Sequence, residues 1–104
     1  MAGTRQDDLA RVVAAAAAED GLALKVALSK GEDVNQLGEY NETALHWAAI
    51  LGNSRIAAIL MQHGADAAVR DANGRTAAEI ASKRGYAELA DEIASGRAKS
   101  GMTR

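Results

Sequence analysis

Residues 43–66 read Thr-Ala-Leu-His-Trp-Ala-Ala-Ile-Leu-Gly-Asn-Ser-Arg-Ile-Ala-Ala-Ile-Leu-Met-Gln-His-Gly-Ala-Asp, and the rest of the chain reads as weaker copies of this stretch. Sliding the chain against itself by 33 residues places Thr43 on Thr76, Ala48 on Ala81, Gly52 on Gly85 and Leu60 on Ile93. The same shift carries Gly31 and Asp33 onto Gly64 and Asp66. A period between about 20 and 50 residues marks a stacked array, in which each unit buries its apolar face against its neighbours. Within the stretch, the Thr43 hydroxyl can take a free N–H of the first turn and cap a helix over residues 44–51. A second helix, residues 54–63, carries Ile56, Ile59 and Leu60 at i, i+3 and i+4, one stripe for a core. Gly64 ends it, because glycine tolerates the left-handed backbone that closes a helix.

The order Thr43-Ala44-Leu45-His46-Trp47-Ala48, followed by Gly52 and then Gly64-Ala65-Asp66, resembles the ankyrin repeat. The family's opening is Thr-Pro-Leu-His-x-Ala, so Ala44 stands where it has proline and loses only the preset φ of the first helical position. Gly31-Glu32-Asp33-Val34-Asn35 is similar to the Gly-Ala-Asp-Val-Asn that leads out of the second helix into a projecting β-hairpin loop. Asn41 occupies a usual glycine position, and asparagine is the next best residue at positive φ. The resemblance implies a mostly α-helical solenoid of helix-turn-helix units joined by β-hairpin loops. It also implies a structural His46, whose ring ties the loop backbone of one repeat to the next.

Composition agrees with thin layers. Half of the apolar residues are alanine, there is no Phe, and Trp47, Tyr40 and Tyr86 are the aromatic set. Cysteine is absent, so disulfides, thiolate metal sites and cysteine nucleophiles are excluded, and two histidines do not complete a zinc site. The net charge is −2, which disfavours a general nucleic-acid binder. The charge is uneven: residues 1–95 hold 9 basic and 14 acidic groups, while Arg97, Lys99 and Arg104 make the end of the chain basic. No apolar run is long enough for a membrane span and the first residues do not read as a signal peptide, so a soluble, cytoplasmic protein is expected.

The expected layout is an N-terminal extension (1–7), a repeat domain (8–95) and a flexible basic tail (96–104). The domain divides into a capping unit (8–42), a central unit (43–75) and a second capping unit (76–95). Helix one starts from Asp7 or Asp8 and runs through Ala14 to Ala18, with Glu19-Asp20-Gly21 ending it. Leu22, Leu24, Val26 and Leu28 alternate as a strand would, and only the repeat register argues that they belong to a second helix. The Gly21 to Gly31 interval is two residues shorter than Gly52 to Gly64, so either the turn has moved or the helix is shorter. In the last unit Ala78 and Glu79 replace Leu45 and His46, as suits an end with no further unit to receive the histidine.

No phosphate loop, HExxH, GxSxG or Cys–His pair is present, so no catalytic, cofactor or metal residue is assigned. Binding follows from the shape a stack makes, since loop tips and inner helices of successive units form one concave surface. The partner-binding candidates are Leu37, Glu39, Tyr40, Glu42, Ile50 and Leu51 in the middle of the chain. The following loop and the third unit add Arg70, Ala72, Asn73, Arg75, Lys83 and Arg84. The expected function is a non-catalytic adaptor or regulator, monomeric by itself, that binds another protein. The alternative is a constitutive structural subunit of a large assembly, docked through its tail.

Overall fold

A computed structural model describes residues 11–95. The N-terminal extension, the Asp7 or Asp8 cap and the basic tail lie outside the described residues. Those described form six helices: α1 (Arg11–Ala17), α2 (Gly21–Ser29), α3 (Ala44–Leu51), α4 (Ser54–Gln62), α5 (Ala77–Lys83) and α6 (Ala87–Ser95). They pair as α1 with α2, α3 with α4 and α5 with α6, and the pairs stack in chain order. The inner helices α1, α3 and α5 make the main contacts between units, while the outer helices α2, α4 and α6 touch less. The core is therefore a single row running through the stack, from Val12, Ala16 and Leu24 through Leu45, Ala49 and Leu60 to Ile80 and Ile93. Alanines at 15, 48 and 81 recur at the 33-residue spacing, all buried, and their small side chains let adjacent inner helices approach closely.

The register of the first unit resolves differently from the glycine spacing. Glu19 has φ +57°, and 33 and 66 residues later Gly52 and Gly85 have φ +67° and +90°. The left-handed residue that closes the inner helix is thus Glu19, and Gly21 opens α2 instead of ending α1. Asp20 is the N-cap of α2, its side chain accepting Ala23 N–H at 3.0 Å, just as Asn53 accepts Ile56 N–H at 3.0 Å for α4. Neither helix is shortened and no turn is moved. A glycine search misses this because glutamate carries no mark of positive φ. Asn53 Nδ2 donates to Glu19 Oε1 at 3.0 Å, so the glutamate also links two units.

The helical reading of residues 22–28 holds, and its burial pattern explains the alternation. Leu24, Ala27 and Leu28 face the core at helical spacing, whereas Leu22 and Val26 are 74% and 45% exposed. Two of the four alternating residues are thus surface residues of a helix.

The connecting loops turn as hairpins but contain no strand among the described residues. Each is closed by a backbone bond at equivalent places, Gly38 N–H to Glu42 C=O at 2.8 Å and Asp71 N–H to Arg75 C=O at 3.0 Å, with a second bond inside it, Asn41 N–H to Gly38 C=O at 3.1 Å and Gly74 N–H to Asp71 C=O at 2.8 Å. Within these closed turns side chains take further N–H groups. Glu42 accepts Tyr40 N–H at 2.8 Å, and Asp71 accepts Asn73 N–H at 2.9 Å and Arg75 N–H at 3.0 Å. Asn41 takes φ +61°, the left-handed conformation anticipated for it.

Gly52 meets a second constraint. A Cβ there would lie 2.6 Å from the Tyr86 ring, which sits over it, while one at Gly85 would meet open space. Gly52→Ala combines the positive-φ penalty with overpacking and is expected to destabilise by about 2–4 kcal/mol, against about 1 kcal/mol for Gly85→Ala. Urea titration of the two variants measures the difference; equal losses remove the role of the Tyr86 ring.

Candidate partner-binding surface

The surface is positioned by the caps of the inner helices. Thr43 and His46 form a reciprocal capping box on α3. Thr43 N–H donates to His46 Nδ1 at 3.0 Å. An N–H can only donate, so Nδ1 is the unprotonated nitrogen and the ring proton resides on Nε2. Nε2–H in turn donates to the Arg75 carbonyl, 2.9 Å away, at the end of the next loop. With His46 only 1% exposed, this is the bridge between repeats that the sequence resemblance implied. The equivalent box on α5 uses Glu79, whose Oε1 accepts Thr76 N–H at 3.0 Å without reaching a further unit.

The loops are joined as well. Ala72 N–H donates to Tyr40 C=O at 2.9 Å, and Asp66 N–H to Asn35 Oδ1 at 2.8 Å. The two tips therefore stand side by side, with Leu37, Glu39 and Tyr40 exposed on one and Arg70, Ala72, Asn73 and Arg75 exposed on the other. Tyr40 is the most open of the aromatic candidates, at 69%.

Glu42 behaves differently from its three exposed neighbours. It is half-buried, and besides Tyr40 N–H it accepts the Trp47 indole N–H at 3.4 Å, so its carboxylate holds the tip in shape. Arg75 is likewise engaged, with Nη2 3.3 Å from Asp71, and Arg70 donates to Gly74 C=O at 2.7 Å while lying 3.7 Å from Glu79.

Ile50, Leu51, Lys83 and Arg84 occupy the far ends of α3 and α5, about 10 Å along the helices from the tips at 1.5 Å per residue. They form a second cluster. Ile50 and Leu51 are half-buried, Lys83 and Arg84 exposed. Trp47 is half-buried, packed against the core at its rim, and shares a helical stripe with Ile50 and Leu51 at i+3 and i+4. It connects the tip to the far cluster through its bond to Glu42, and its combination of apolar body and polar N–H is the signal that marks it as a rim residue.

The 33-residue spacing arranges these positions in rows. Ala17, Ile50 and Lys83 make one row, Ala18, Leu51 and Arg84 another, and Leu37 with Arg70 and Tyr40 with Asn73 continue them on the loops. Along each inner-helix row the chemistry changes from alanine to large apolar to cationic.

The family model for ankyrin repeats (3 copies) matches residues 13–101. The chain belongs to the ankyrin repeat family. A palmitoyltransferase, AKR1, of Lachancea kluyveri is 54% identical over 48 residues, 45% of this chain and 6% of that protein. Potassium channel AKT3 of Oryza sativa subsp. japonica is 45% identical over 47 residues, 45% of this chain and 5% of the channel. A putative ankyrin repeat protein of Acanthamoeba polyphaga mimivirus is 35% identical over 91 residues, 84% of this chain and 12% of that protein. This ankyrin chain thus spans a small fraction of each relative's length, and the similarity is to their repeats. The ankyrin fold is a non-catalytic interaction fold that binds other proteins. Among the described residues no group of three or more His, Asp or Glu is placed to hold a metal, and no helix is long and apolar enough to cross a membrane.

Two of the residues that hold the surface together carry predictions. His46→Ala leaves the Thr43 N–H and the Arg75 carbonyl without partners, and unfolding free energy should fall by about 2–4 kcal/mol in chemical denaturation. For Asp71, burial works to raise the pKa, but the N–H groups of Arg75 and Asn73 and the Arg75 guanidinium outweigh it and hold the carboxyl below the ordinary aspartate value. A depressed folded pKa adds stability that is complete above the unfolded value and is lost as pH falls through the folded one. Stability should therefore decline as pH drops below about 4, and Asp71→Asn should flatten that decline in acid titrations followed by circular dichroism.

Proposed function

We infer that the chain is an adaptor or regulator that recognises a partner protein through the paired loop tips and the concave face of the inner helices. The observation that carries this reading is Tyr40, an aromatic held 69% exposed on a tip that is internally braced by Glu42 and bonded to the next tip through its own carbonyl. A large amphipathic side chain on a braced loop gives contact area with little loss of entropy on binding. The units 8–42, 43–75 and 76–95 each contribute to this surface, and the rows across them specify the partner's chemistry. An apolar group fits beside Tyr40, Leu37 and the Trp47–Ile50–Leu51 stripe. Acidic groups fit beside Lys83 and Arg84, with Arg70, Ala72, Asn73 and Arg75 on the adjoining tip. Glu39 stands on the tip with Leu37 and Tyr40, away from Lys83 and Arg84, and Glu42 acts from below as a brace. The partner is a protein with an apolar anchor flanked by carboxylates; binding should weaken as salt screens the cationic end.

Affinity capture of partners from the native cell, followed by titration against the captured protein, tests the reading. Tyr40→Ala should weaken binding tenfold or more, and Lys83→Glu with Arg84→Glu at least as much, with circular dichroism spectra unchanged. Unchanged affinity in both variants removes the concave surface from the function.

A further inference from the structure

The two ends of the stack differ. At the C-terminal end, among the described residues, positions that are buried in the middle unit become polar and exposed: His46 is replaced by Glu79 and Ala49 by Ser82. That exchange stops further stacking, because an added unit would bury both polar side chains. At the N-terminal end the exchange goes another way. The faces of α3 and α4 that receive the preceding unit include Ala44 and Ile56, and those of α5 and α6 include Ala77, Ile80 and Leu89, all buried. The first unit has Arg11 at the place of Ala44 and Ala77, but alanines at the places of the large residues, Ala14 for Ile80 and Ala23 for Ile56 and Leu89. Both alanines are exposed. Together with Ala18 they line a groove of about 600 Å³, and Leu22 and Val26, i and i+4 on α2, line it too.

We propose that this face pairs with the same face of a second copy of the chain, forming a closed twofold dimer through α1 and α2. Three observations converge on this occupant. The face continues the inter-unit interface of the stack, whose occupant at each later step is an ankyrin helix pair. It sets large residues beside a trough of alanines, so under a twofold axis Leu22 and Val26 of each copy enter the trough of the other. Its charges are complementary to themselves. Asp20 caps the start of α2 and Lys30 the end, both line the groove, and antiparallel apposition of two α2 helices brings each Asp20 to the partner's end of Lys30. Antiparallel helices also oppose their dipoles favourably. Head-to-tail growth is blocked by the polar C-terminal end, so the assembly closes at two. The paired loop tips and the cluster of Ile50, Leu51, Lys83 and Arg84 stay clear of the contact.

The absence of cysteine provides a direct test on the full chain. Val26→Cys places one thiol in the contact, and Glu88→Cys places one on exposed α6 as a reference. Under mild oxidation Val26→Cys should form disulfide-linked dimers at least tenfold faster than Glu88→Cys. Sedimentation equilibrium of the unaltered chain from roughly 10 µM to 1 mM, where weak complexes populate, should show a monomer–dimer equilibrium. Lys30→Glu, which sets like charges together, and Val26→Glu should each weaken it tenfold or more. Thermal melts establish that the exposed-site variants remain folded. A monomer throughout that range with equal cross-linking rates would overturn the proposal and assign the face to another protein or to the ten residues before Arg11. A dimer indifferent to both glutamate variants would overturn it by placing the contact elsewhere.

Discussion

The stack depends on a ring that satisfies two backbone groups at once. His46 accepts the N–H that opens its own helix and donates to the carbonyl that closes the next loop. Both partners would otherwise be polar groups in a region with little water, where each missing bond costs about 1–3 kcal/mol. The geometry leaves one tautomer able to serve, so the ring fixes the distance and the angle between unit two and unit three. Since the two connecting loops are also joined by the Tyr40 carbonyl and the Ala72 N–H, the relative placement of their tips follows from that bridge. A surface made of residues far apart in the chain can then be rigid without a sheet beneath it.

Rigidity at the loops has a local origin too. Carboxylates at 42 and 71 fold back onto the backbones of their own loops and brace them from within. This leaves the tips short and well braced, with Tyr40 and Leu37 pointed to solvent. The cost falls on the candidate binding residues. Glu42, Arg70 and Arg75 spend part of their hydrogen-bonding capacity on the scaffold, whereas Leu37, Glu39, Tyr40, Asn73, Lys83 and Arg84 are exposed.

Small residues play two roles. Inside, Ala15, Ala48 and Ala81 let inner helices approach and make a core from little apolar area. At the N-terminal end, Ala14 and Ala23 stand where larger residues would otherwise be exposed, and the same economy leaves a groove beside Leu22 and Val26. Among the described residues, a polar end and an alanine-lined end give the stack a direction.

Much of this was legible in the residues. The 33-residue echo can be read by setting the chain against itself and the Thr43 cap from the start of its own helix, while the His46 bridge and the positive φ at Asn41 are what the resemblance to the ankyrin repeat implies. The helix at residues 21–29 was only decidable through that period, and its true start escaped because Glu19 adopts a conformation that its side chain does not advertise. The candidate site was legible as a set of positions but not as a surface. Whether Trp47 lay inside or at the rim, whether Glu42 faced a partner or its own loop, and whether Val26 was covered depended on contacts between units. The sequence by itself determined the repeat, the order of helices and the residues at each tip; only the tertiary structure decided which of those side chains are left free, because burial and hydrogen-bond satisfaction are properties of the stacked neighbours and not of the unit alone.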